Sequence, residues 1–181
     1  QPKLTFKWEV SDPNGDDPEH RVFLRRDDWP HWVALHDQPL TEPTLAWDSF
    51  TAPSGTYRIR VESSDAPSNP VGESETRELE SPPFIVDHDA PVVLLEEKPS
   101  GVEARVEDQH TRLVKAAYSV DGSEWTALFP SDRLFDSLKE SLTIPLARRG
   151  KALAAGAHLI RVRVHDAAGN VGAGDLVITA D

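Results

Sequence analysis

The stretch Gly55-Thr-Tyr-Arg-Ile-Arg-Val61 returns later in the chain, in altered form, as Gly156-Ala-His-Leu-Ile-Arg-Val162. In both copies an Asp-Ala pair begins four residues after the valine, and an Asn follows four residues after that Asp. Apolar and charged residues alternate along both stretches, which is the pattern of a strand with one buried face and one solvated face. The chain is therefore expected to be built from antiparallel strands.

Two further pairs of similar segments lie upstream, in the same order. Trp32-Val-Ala-Leu35 corresponds to Trp125-Thr-Ala-Leu128, and Trp8-Glu-Val-Ser-Asp12 corresponds more weakly to Ala104-Arg-Val-Glu-Asp108. The separation between copies grows from 96 and 93 residues in these pairs to 101 residues in the glycine-led pair. Three pairs in one order predict a duplicated domain, with an insertion after Leu128 in the second copy.

The junction between the copies is predicted at Val86-Asp-His-Asp-Ala-Pro91, where nearby prolines disfavour a helix. The fold class is therefore expected to be all-β, with two tandem antiparallel β-sandwiches covering residues 1–88 and 89–181. The insertion is the exception to this pattern. Ser131 would cap a short helix near 131–138, and the apolar residues of that segment would pack it down.

Composition narrows the function classes. The chain has 181 residues, a net charge of −12 and a pI near 4.9, whereas a nucleic-acid-binding surface has to be basic. The absence of Cys excludes disulfides, thiolate metal sites and Cys nucleophiles. No apolar run approaches the roughly 20 residues of a membrane span, so membrane insertion is not expected. Because the chain contains no Met, Gln1 is not expected to be a native translation start, and the chain is expected to be a processed product or an excised fragment.

These residues resemble the fibronectin type III family, within the wider group of bacterial immunoglobulin-like modules. Trp8 matches the core Trp of the family's second strand, and Tyr57 after Ser54-Gly55 matches the Tyr of its sixth strand. His158 replaces that Tyr in the second copy, which resembles instead the bacterial modules containing Asp-Ala-Ala-Gly-Asn, here 166–170. The resemblance implies that the first sandwich lacks its first strand, since only Gln1-Pro-Lys precedes the Trp8 strand.

Tandem modules of this kind are similar to those at the C-terminal ends of secreted bacterial β-propeller proteins. The resemblance therefore implies an extracytoplasmic location, whether secreted, periplasmic or at the cell surface. It also implies an upstream domain of the same polypeptide, such as a β-propeller or an enzyme, as a partner.

Catalytic patterns are not found in the sequence. A nucleophile elbow of the Gly-x-Ser-x-Gly type is absent. In His36-Asp37, His165-Asp166 and Asp87-His88-Asp89 the groups are adjacent in sequence, so neighbouring side chains would face opposite sides of a strand. His31 and His36 have no third partner for zinc, and no glycine-rich phosphate loop precedes a helix. The chain is therefore not expected to be an enzyme.

Calcium is the only cofactor that the sequence suggests. Asp12, Asn14 and Asp16 have the one-three-five spacing of a Ca²⁺ loop, although Phe23 stands where the bidentate Glu would be. Asp87 and Asp89 resemble the carboxylate-rich joints of cadherin-like repeats. The alternative is that the first segment is a tight turn and Asp89 a cap.

The tryptophans divide into two groups. Trp8, Trp32 and Trp125 lie on predicted strands and are expected to pack in the core or between sheets. Trp29 and Trp47 have no counterpart in the second copy, and an exposed ring there would stack on a sugar. The alternative for these two is that they cover a sandwich edge.

Asp65 and Asp166 also recur, each with its Asn four residues later. They would either share a ligand or close the turn before the last strand by bonding its backbone. Recurrence in two diverged copies favours the structural role.

The leading functional hypothesis is a non-catalytic spacer or docking module of a larger secreted bacterial protein. One alternative is an accessory carbohydrate-binding module that uses Trp29 and Trp47, and another is a calcium-stiffened adhesion module. The expected partners are the upstream domain and a protein or glycan, with no nucleic acid and no membrane insertion.

Overall fold

The chain divides into two compact units, Gln1–Val86 (unit 1) and Asp87–Asp181 (unit 2). The computed structural model describes residues 3–11, 15, 17–70, 72–99, 101–145, 147–148 and 151–180. Within them the regular structure consists of β-strands and one three-residue 3-10 turn, Ser49–Thr51, and no helix is long and apolar enough to cross a membrane. The expected all-β class is confirmed, and the boundary between the units lies two residues before the predicted one.

Unit 1 contains two antiparallel sheets. Its strands are β1 (Lys3–Lys7), β2 (Glu19–Arg26), β3 (Val33–Ala34), β4 (Thr44–Asp48), β5 (Gly55–Ser64), β6 (Thr76–Glu80) and β7 (Phe84–Val86). One sheet pairs β1 with β4. The other has the order β3-β2-β5-β6, and β7 also pairs with β5.

The edge of the larger sheet of unit 1 is interrupted at Pro82-Pro83. Because proline has no N–H to donate to a ladder, the edge strand is split into β6 and β7, which pair with different parts of β5. Ser81 bridges the gap. Its backbone N–H donates to the Ile59 carbonyl over 2.8 Å, and its Oγ accepts the Ile59 N–H over 3.0 Å.

The core of unit 1 lies between its two sheets. Its buried apolar residues are Val22, Leu24, Ala52, Tyr57, Ile59, Val61 and Val86. Apolar side chains of the β1–β4 sheet pack against them, namely Leu4, Phe6, Leu45 and Trp47. Unit 1 is therefore a sandwich that closes its own core.

Unit 2 repeats this plan with longer strands. They are β8 (Val92–Lys98), β9 (Gly101–Glu107), β10 (Leu113–Val120), β11 (Thr126–Leu128), β12 (Lys139–Ile144), β13 (Ala147–Arg148), β14 (Lys151–Ala152), β15 (Gly156–Asp166) and β16 (Val171–Ala180). One sheet has the order β12-β9-β8 and the other β11-β10-β15-β16, while β13 and β14 form a separate hairpin.

The core of unit 2 is formed by alternate residues of its strands. Its fully buried members are Val102, Ala104, Leu113, Leu142, Ile144, Ile160, Val162 and Val164. These residues come from both sheets, and the set is distinct from the core of unit 1. Each unit therefore supplies its own hydrophobic stabilisation.

The strand order gives the fold its type. In unit 2 the first, second and fifth strands form one sheet, and the third, fourth and last two long strands form the other. The sheets of unit 1 contain the counterparts of these strands except β8, among the residues that the structure describes. Both units are antiparallel β-sandwiches of the fibronectin type III and immunoglobulin-like type.

The helix expected near 131–138 is wrong, because this segment is a turn followed by irregular chain. Arg133 has a φ of 66° and its N–H donates to the Pro130 carbonyl over 3.0 Å. Asp132 Oδ1 accepts the Leu134 N–H over 3.0 Å. A side chain that bonds its local backbone competes with helix formation, and a one-turn helix repays little of its nucleation cost. Of the apolar residues there, Phe135 packs against the core, whereas Leu134 and Leu138 are exposed.

Candidate metal centre

Three buried carboxylates meet at one end of unit 2. Asp87, Asp108 and Asp166 are 8%, 3% and 2% exposed, and each contributes an oxygen that lies within 4.8 Å of the others. We call these three residues the aspartate cluster.

Strand register brings the aspartate cluster together. Val92 at the start of β8 pairs with Glu107 at the end of β9, so the chain entering β8 lies beside the chain leaving β9. Leu113 at the start of β10 pairs with Asp166 at the end of β15. Residues that are far apart in sequence therefore reach the same end of the sandwich.

Asp108 occupies the turn between β9 and β10. Its Oδ1 accepts the backbone N–H groups of His110 and Thr111, both over 2.8 Å. Its Oδ2 is buried and has no hydrogen-bond partner. Burying a carboxylate oxygen without a partner is costly, so this atom is the least satisfied part of the cluster.

Asp166 closes the turn between β15 and β16. Its Oδ1 accepts the N–H groups of Gly169 over 2.7 Å and of Asn170 over 2.8 Å. Its Oδ2 accepts the Asn170 side-chain amide over 2.8 Å. This turn is closed by side chain to backbone bonds, as the recurrence of Asp and Asn in the sequence indicates.

Asp87 stands directly after the last strand of unit 1 in sequence and belongs to unit 2. Its Oδ1 accepts the Asp89 N–H over 3.0 Å, and its Oδ2 accepts the Thr111 hydroxyl over 2.6 Å. Its backbone carbonyl accepts the Asn170 side-chain amide over 3.3 Å. Segment 87–91 is therefore bonded to both of the turns that hold the other two aspartates.

A glycine lets segment 87–91 lie this close to β16. A Cβ at Gly172 would lie 1.8 Å from the Pro91 carbonyl oxygen, a distance that no side chain permits. Any other residue there would push Pro91 away, and with it the chain that carries Asp87. Gly172 thus positions one member of the aspartate cluster.

The cluster has no cationic partner among the residues that the structure describes. None of the ion pairs there joins a Lys or Arg to Asp87, Asp108 or Asp166. The hydrogen-bond donors to the cluster are backbone amides, one hydroxyl and one side-chain amide. Three carboxylates offering only oxygen ligands form a set suited to a hard divalent cation.

The calcium ligands predicted from the sequence fare differently. Asp87 lies in the aspartate cluster. The side chain of Asp89 is 61% exposed, outside the cluster, and its Oδ2 is 3.4 Å from His110 Nε2. Asp12, Asn14 and Asp16 lie outside the described residues. Sequence reasoning did not consider Asp108 as a ligand and favoured a turn-closing role for Asp166. Both residues belong to repeated segments; Asp108 follows β9 directly and Asp166 is the last residue of β15.

The two tryptophans proposed to stack on sugars are partly buried. Trp29 packs edge-on against Tyr57, with ring centroids 5.9 Å apart, and Trp47 packs against Tyr57 at 6.2 Å. Both join the core of unit 1. Both rings therefore lie against the core of unit 1, and sugar binding at Trp29 and Trp47 stays a prediction.

The repeat-matched Trp32 and Trp125 were expected in the core or between sheets, and that expectation is also wrong. Trp125 is 41% exposed and is covered by the Arg163 guanidinium at 4.4 Å from the ring centroid. Trp32 lies under Arg25 at 4.7 Å and Arg60 at 5.1 Å. Both rings lie against charged side chains, because the strands beside them direct arginines to the solvated face.

In each unit one side chain bonds the backbone carbonyl four residues upstream, from a buried Tyr57 in unit 1 and a half-buried His158 in unit 2. The Tyr57 hydroxyl donates to the Pro53 carbonyl over 2.7 Å. His158 of unit 2 places Nε2 2.8 Å from the Ala154 carbonyl oxygen and Nδ1 2.7 Å from Asp121 Oδ2. Both partners are acceptors, so the protonated imidazole satisfies both bonds, and these two contacts raise the pKa of His158.

His36, one of the two histidines considered for zinc, bonds to the backbone instead. His36 Nε2 accepts the Val22 N–H over 3.3 Å, and its Nδ1 lies 2.5 Å from the Gln38 carbonyl oxygen. The ring therefore fastens the chain after β3 to β2.

Comparison with known proteins adds structural similarity alone. No protein-family model and no curated protein matches the chain. It is similar to the crystal structure of the chicken interferon gamma receptor alpha chain, with 11% identity, a TM-score of 0.38 and coverage of 98% of this chain and 92% of that one. It is also similar to the FN1–FN3 domains of chicken CNTN1, with 13% identity, a TM-score of 0.36 and coverage of 98% of this chain and 62% of that one. Because both TM-scores are below 0.5, the fold assignment rests on the strand order within each unit.

Proposed function

We propose that this chain is a non-catalytic spacer or docking module made of two sandwiches in series. The observation that carries the proposal is that each unit closes its own core from its own strands. A module of this kind sets the distance between whatever its ends are joined to, and needs no reactive group. Its charged outer strand faces provide solubility and a surface for a partner.

The polar side chains that most resemble catalytic groups form hydrogen bonds to the backbone of the fold. His36 and His158 bond backbone carbonyls, and Asp166 closes a turn. These contacts support a structural role for the residues that a catalytic reading would use first.

The setting of the module is part of the same proposal. We place it in a larger secreted bacterial protein, outside the cytoplasm, with an upstream domain such as a β-propeller in the same polypeptide. The residues that resemble secreted bacterial modules support this setting, chiefly Asp166-Ala-Ala-Gly-Asn170.

Pulling the full chain by its ends in a force spectrometer tests the serial arrangement. Two independent cores should unfold in two separate events, each releasing about 30 nm of chain at roughly 3.4 Å per residue. A single event of about 60 nm would contradict the proposal.

A hydrolase substrate panel on the intact chain tests the non-catalytic part. We expect turnover at the level of buffer. Turnover that a point substitution abolishes would overturn the proposal even if the force experiment shows two events.

A further inference from the structure

We propose that Asp87, Asp108 and Asp166 bind a Ca²⁺ ion that fastens segment 87–91 to the end of unit 2. The site lies within one sandwich and does not depend on the spacer function proposed above.

The first argument is the arrangement of the charges. Three carboxylates that are each more than nine-tenths buried bring oxygens within 4.8 Å of one another. Ca²⁺ binds oxygens at about 2.3–2.6 Å, so two ligands on opposite sides of one ion are separated by about 5 Å or less. The oxygens are therefore close enough together to share one Ca²⁺ ion.

The second argument is independent of the clustering. Asp108 Oδ2 is buried and has no hydrogen-bond partner, while Oδ1 of the same carboxylate accepts two backbone amides. The amides hold the carboxylate in place and leave one oxygen for a ligand. A bound cation satisfies this atom and offsets the repulsion among three buried charges.

The ligand set selects the ion. The cluster contains oxygen ligands only, which disfavours zinc relative to a harder cation. Mg²⁺ demands short bonds of about 2.0–2.1 Å in octahedral geometry. Carboxylates already committed to turn amides cannot all move inward to meet that demand, so Ca²⁺ is the better fit.

The ion would hold in place segment 87–91, the chain that leads into β8. Asp87 is the only cluster member in segment 87–91, whereas Asp108 directly follows β9 and Asp166 is the last residue of β15. With Ca²⁺ bound, the segment is held by an ion as well as by the Thr111 and Asn170 hydrogen bonds. With Ca²⁺ removed, charge repulsion favours release of Asp87.

Calorimetry on the full chain after dialysis against EDTA gives the first test. An ion that binds the folded form alone stabilises it by mass action. With Kd values of about 0.1–1 mM, about 10 mM CaCl₂ should raise the melting temperature of unit 2 by roughly 5–20 °C. The transition of unit 1 is the internal control and should stay within about 1 °C.

Control salts distinguish specific Ca²⁺ binding from general screening of the charge repulsion in this acidic chain. NaCl at matched ionic strength should leave unit 2 nearly unchanged, and MgCl₂ should raise its melting temperature by less than half the Ca²⁺ effect. Equal shifts with all three salts, or no shift with CaCl₂, would overturn the proposal.

Two matched variants assign the site. Asp108→Asn should abolish the Ca²⁺ response of unit 2, while its melting temperature in EDTA should equal or exceed that of the parent chain, since a repulsive charge is gone. Asp89→Asn, an exposed carboxylate outside the cluster, should keep the full response. A full response in Asp108→Asn would refute the assignment.

NMR titration of the unsubstituted chain keeps the proposal testable if Asp108→Asn fails to fold. Saturable Ca²⁺-dependent shifts should concentrate in the amides that donate to the cluster, those of Asp89, His110, Thr111, Gly169 and Asn170. Shifts spread over the acidic surface, or none at these amides, would overturn it.

Discussion

Tyr57 in unit 1 and His158 in unit 2 occupy matching positions on the strands β5 and β15, and each bonds the carbonyl four residues upstream. Tyr57 is fully buried and donates through a neutral hydroxyl, whereas His158 also contacts Asp121 and gains from carrying a proton. The same backbone corner can thus be closed by different chemistry. The stability of the His158 corner in unit 2 should therefore depend on pH near neutrality, whereas that of the Tyr57 corner in unit 1 should not.

Asp65 and Asp166 show a second difference between the units. In unit 1 the loop after β5 runs on to β6, and Asp65 Oδ1 accepts the Glu75 N–H over 2.7 Å. In unit 2 the turn is short, and Asp166 bonds its own turn and joins the aspartate cluster. The longer loop of unit 1 therefore bonds the Asp65 carboxylate through the Glu75 N–H. The shorter turn of unit 2 instead leaves the Asp166 carboxylate close to those of Asp87 and Asp108.

Truncating matched core residues should have the largest effect on stability. It tests whether the two units have similar but independent cores. Ile59 is 3% exposed and Ile160 is fully buried. Ile59→Ala should destabilise unit 1, and Ile160→Ala unit 2, each by about 2–5 kcal/mol from lost burial and the remaining cavity. Calorimetry of the full chain measures both transitions.

The control for each substitution is the other unit. Because the two sets of core residues are distinct, each variant should lower one transition only. Equal loss in both transitions would break the comparison, since it would mean that the two cores share stability.

Tyr57→Phe should have a smaller effect, because it removes the corner hydrogen bond and keeps the ring. We expect unit 1 to lose about 1 kcal/mol, the usual net value of one such bond. Urea unfolding followed by tryptophan fluorescence measures it, since unit 1 contains four of the five tryptophans. A loss above about 3 kcal/mol would show that the ring position depends on the bond.

Alternating strands and turn residues made the architecture predictable from the sequence. The Gly55 and Gly156 strands form the longest ladders of their units, as their period of two indicates. The aspartate cluster was not predictable, because it depends on register and on the close approach of Pro91 to Gly172. The helix near 131–138 was wrong because local bonds of Asp132 outcompete it, and a capping residue followed by apolar residues carries no information about such bonds.

The pH dependence of unit 2 should sharpen the contrast between the corners. The Ala154 carbonyl and Asp121 raise the pKa of His158 above its unfolded value near 6.5. This contribution to stability is therefore complete below about pH 6.5 and is lost as pH rises through the folded-state pKa. Urea midpoints between about pH 6 and pH 9 should fall for unit 2, and His158→Gln should remove this part of the fall.

Unit 1 should respond in the opposite direction through His20. Its ring is almost fully buried and bonds Ser63 Oγ over 2.8 Å, and burial lowers its pKa. Stability from neutral His20 is therefore present above about pH 6.5 and is lost as pH falls through the lowered pKa. If His20→Gln leaves the acid-side profile of unit 1 unchanged, this explanation is wrong.

The arginine–tryptophan contacts should give the smallest difference between the units. Arg163 covers Trp125, and its Nε is buried without a hydrogen-bond partner. Arg163→Gln loses a cation–π contact worth about 0.5–1 kcal/mol but also removes an unpaired donor, so the net loss should be about 0.5 kcal/mol. Arg60→Gln in unit 1 likewise removes an Nε that is buried without a hydrogen-bond partner. It should still cost more, because Arg60 also covers Phe23 and pairs with Glu62 at 2.7 Å. A larger loss of stability from Arg163→Gln in unit 2 than from Arg60→Gln in unit 1 would contradict this expectation. It would require the contact between Arg163 and Trp125 to be shielded from water, whereas Trp125 is 41% exposed.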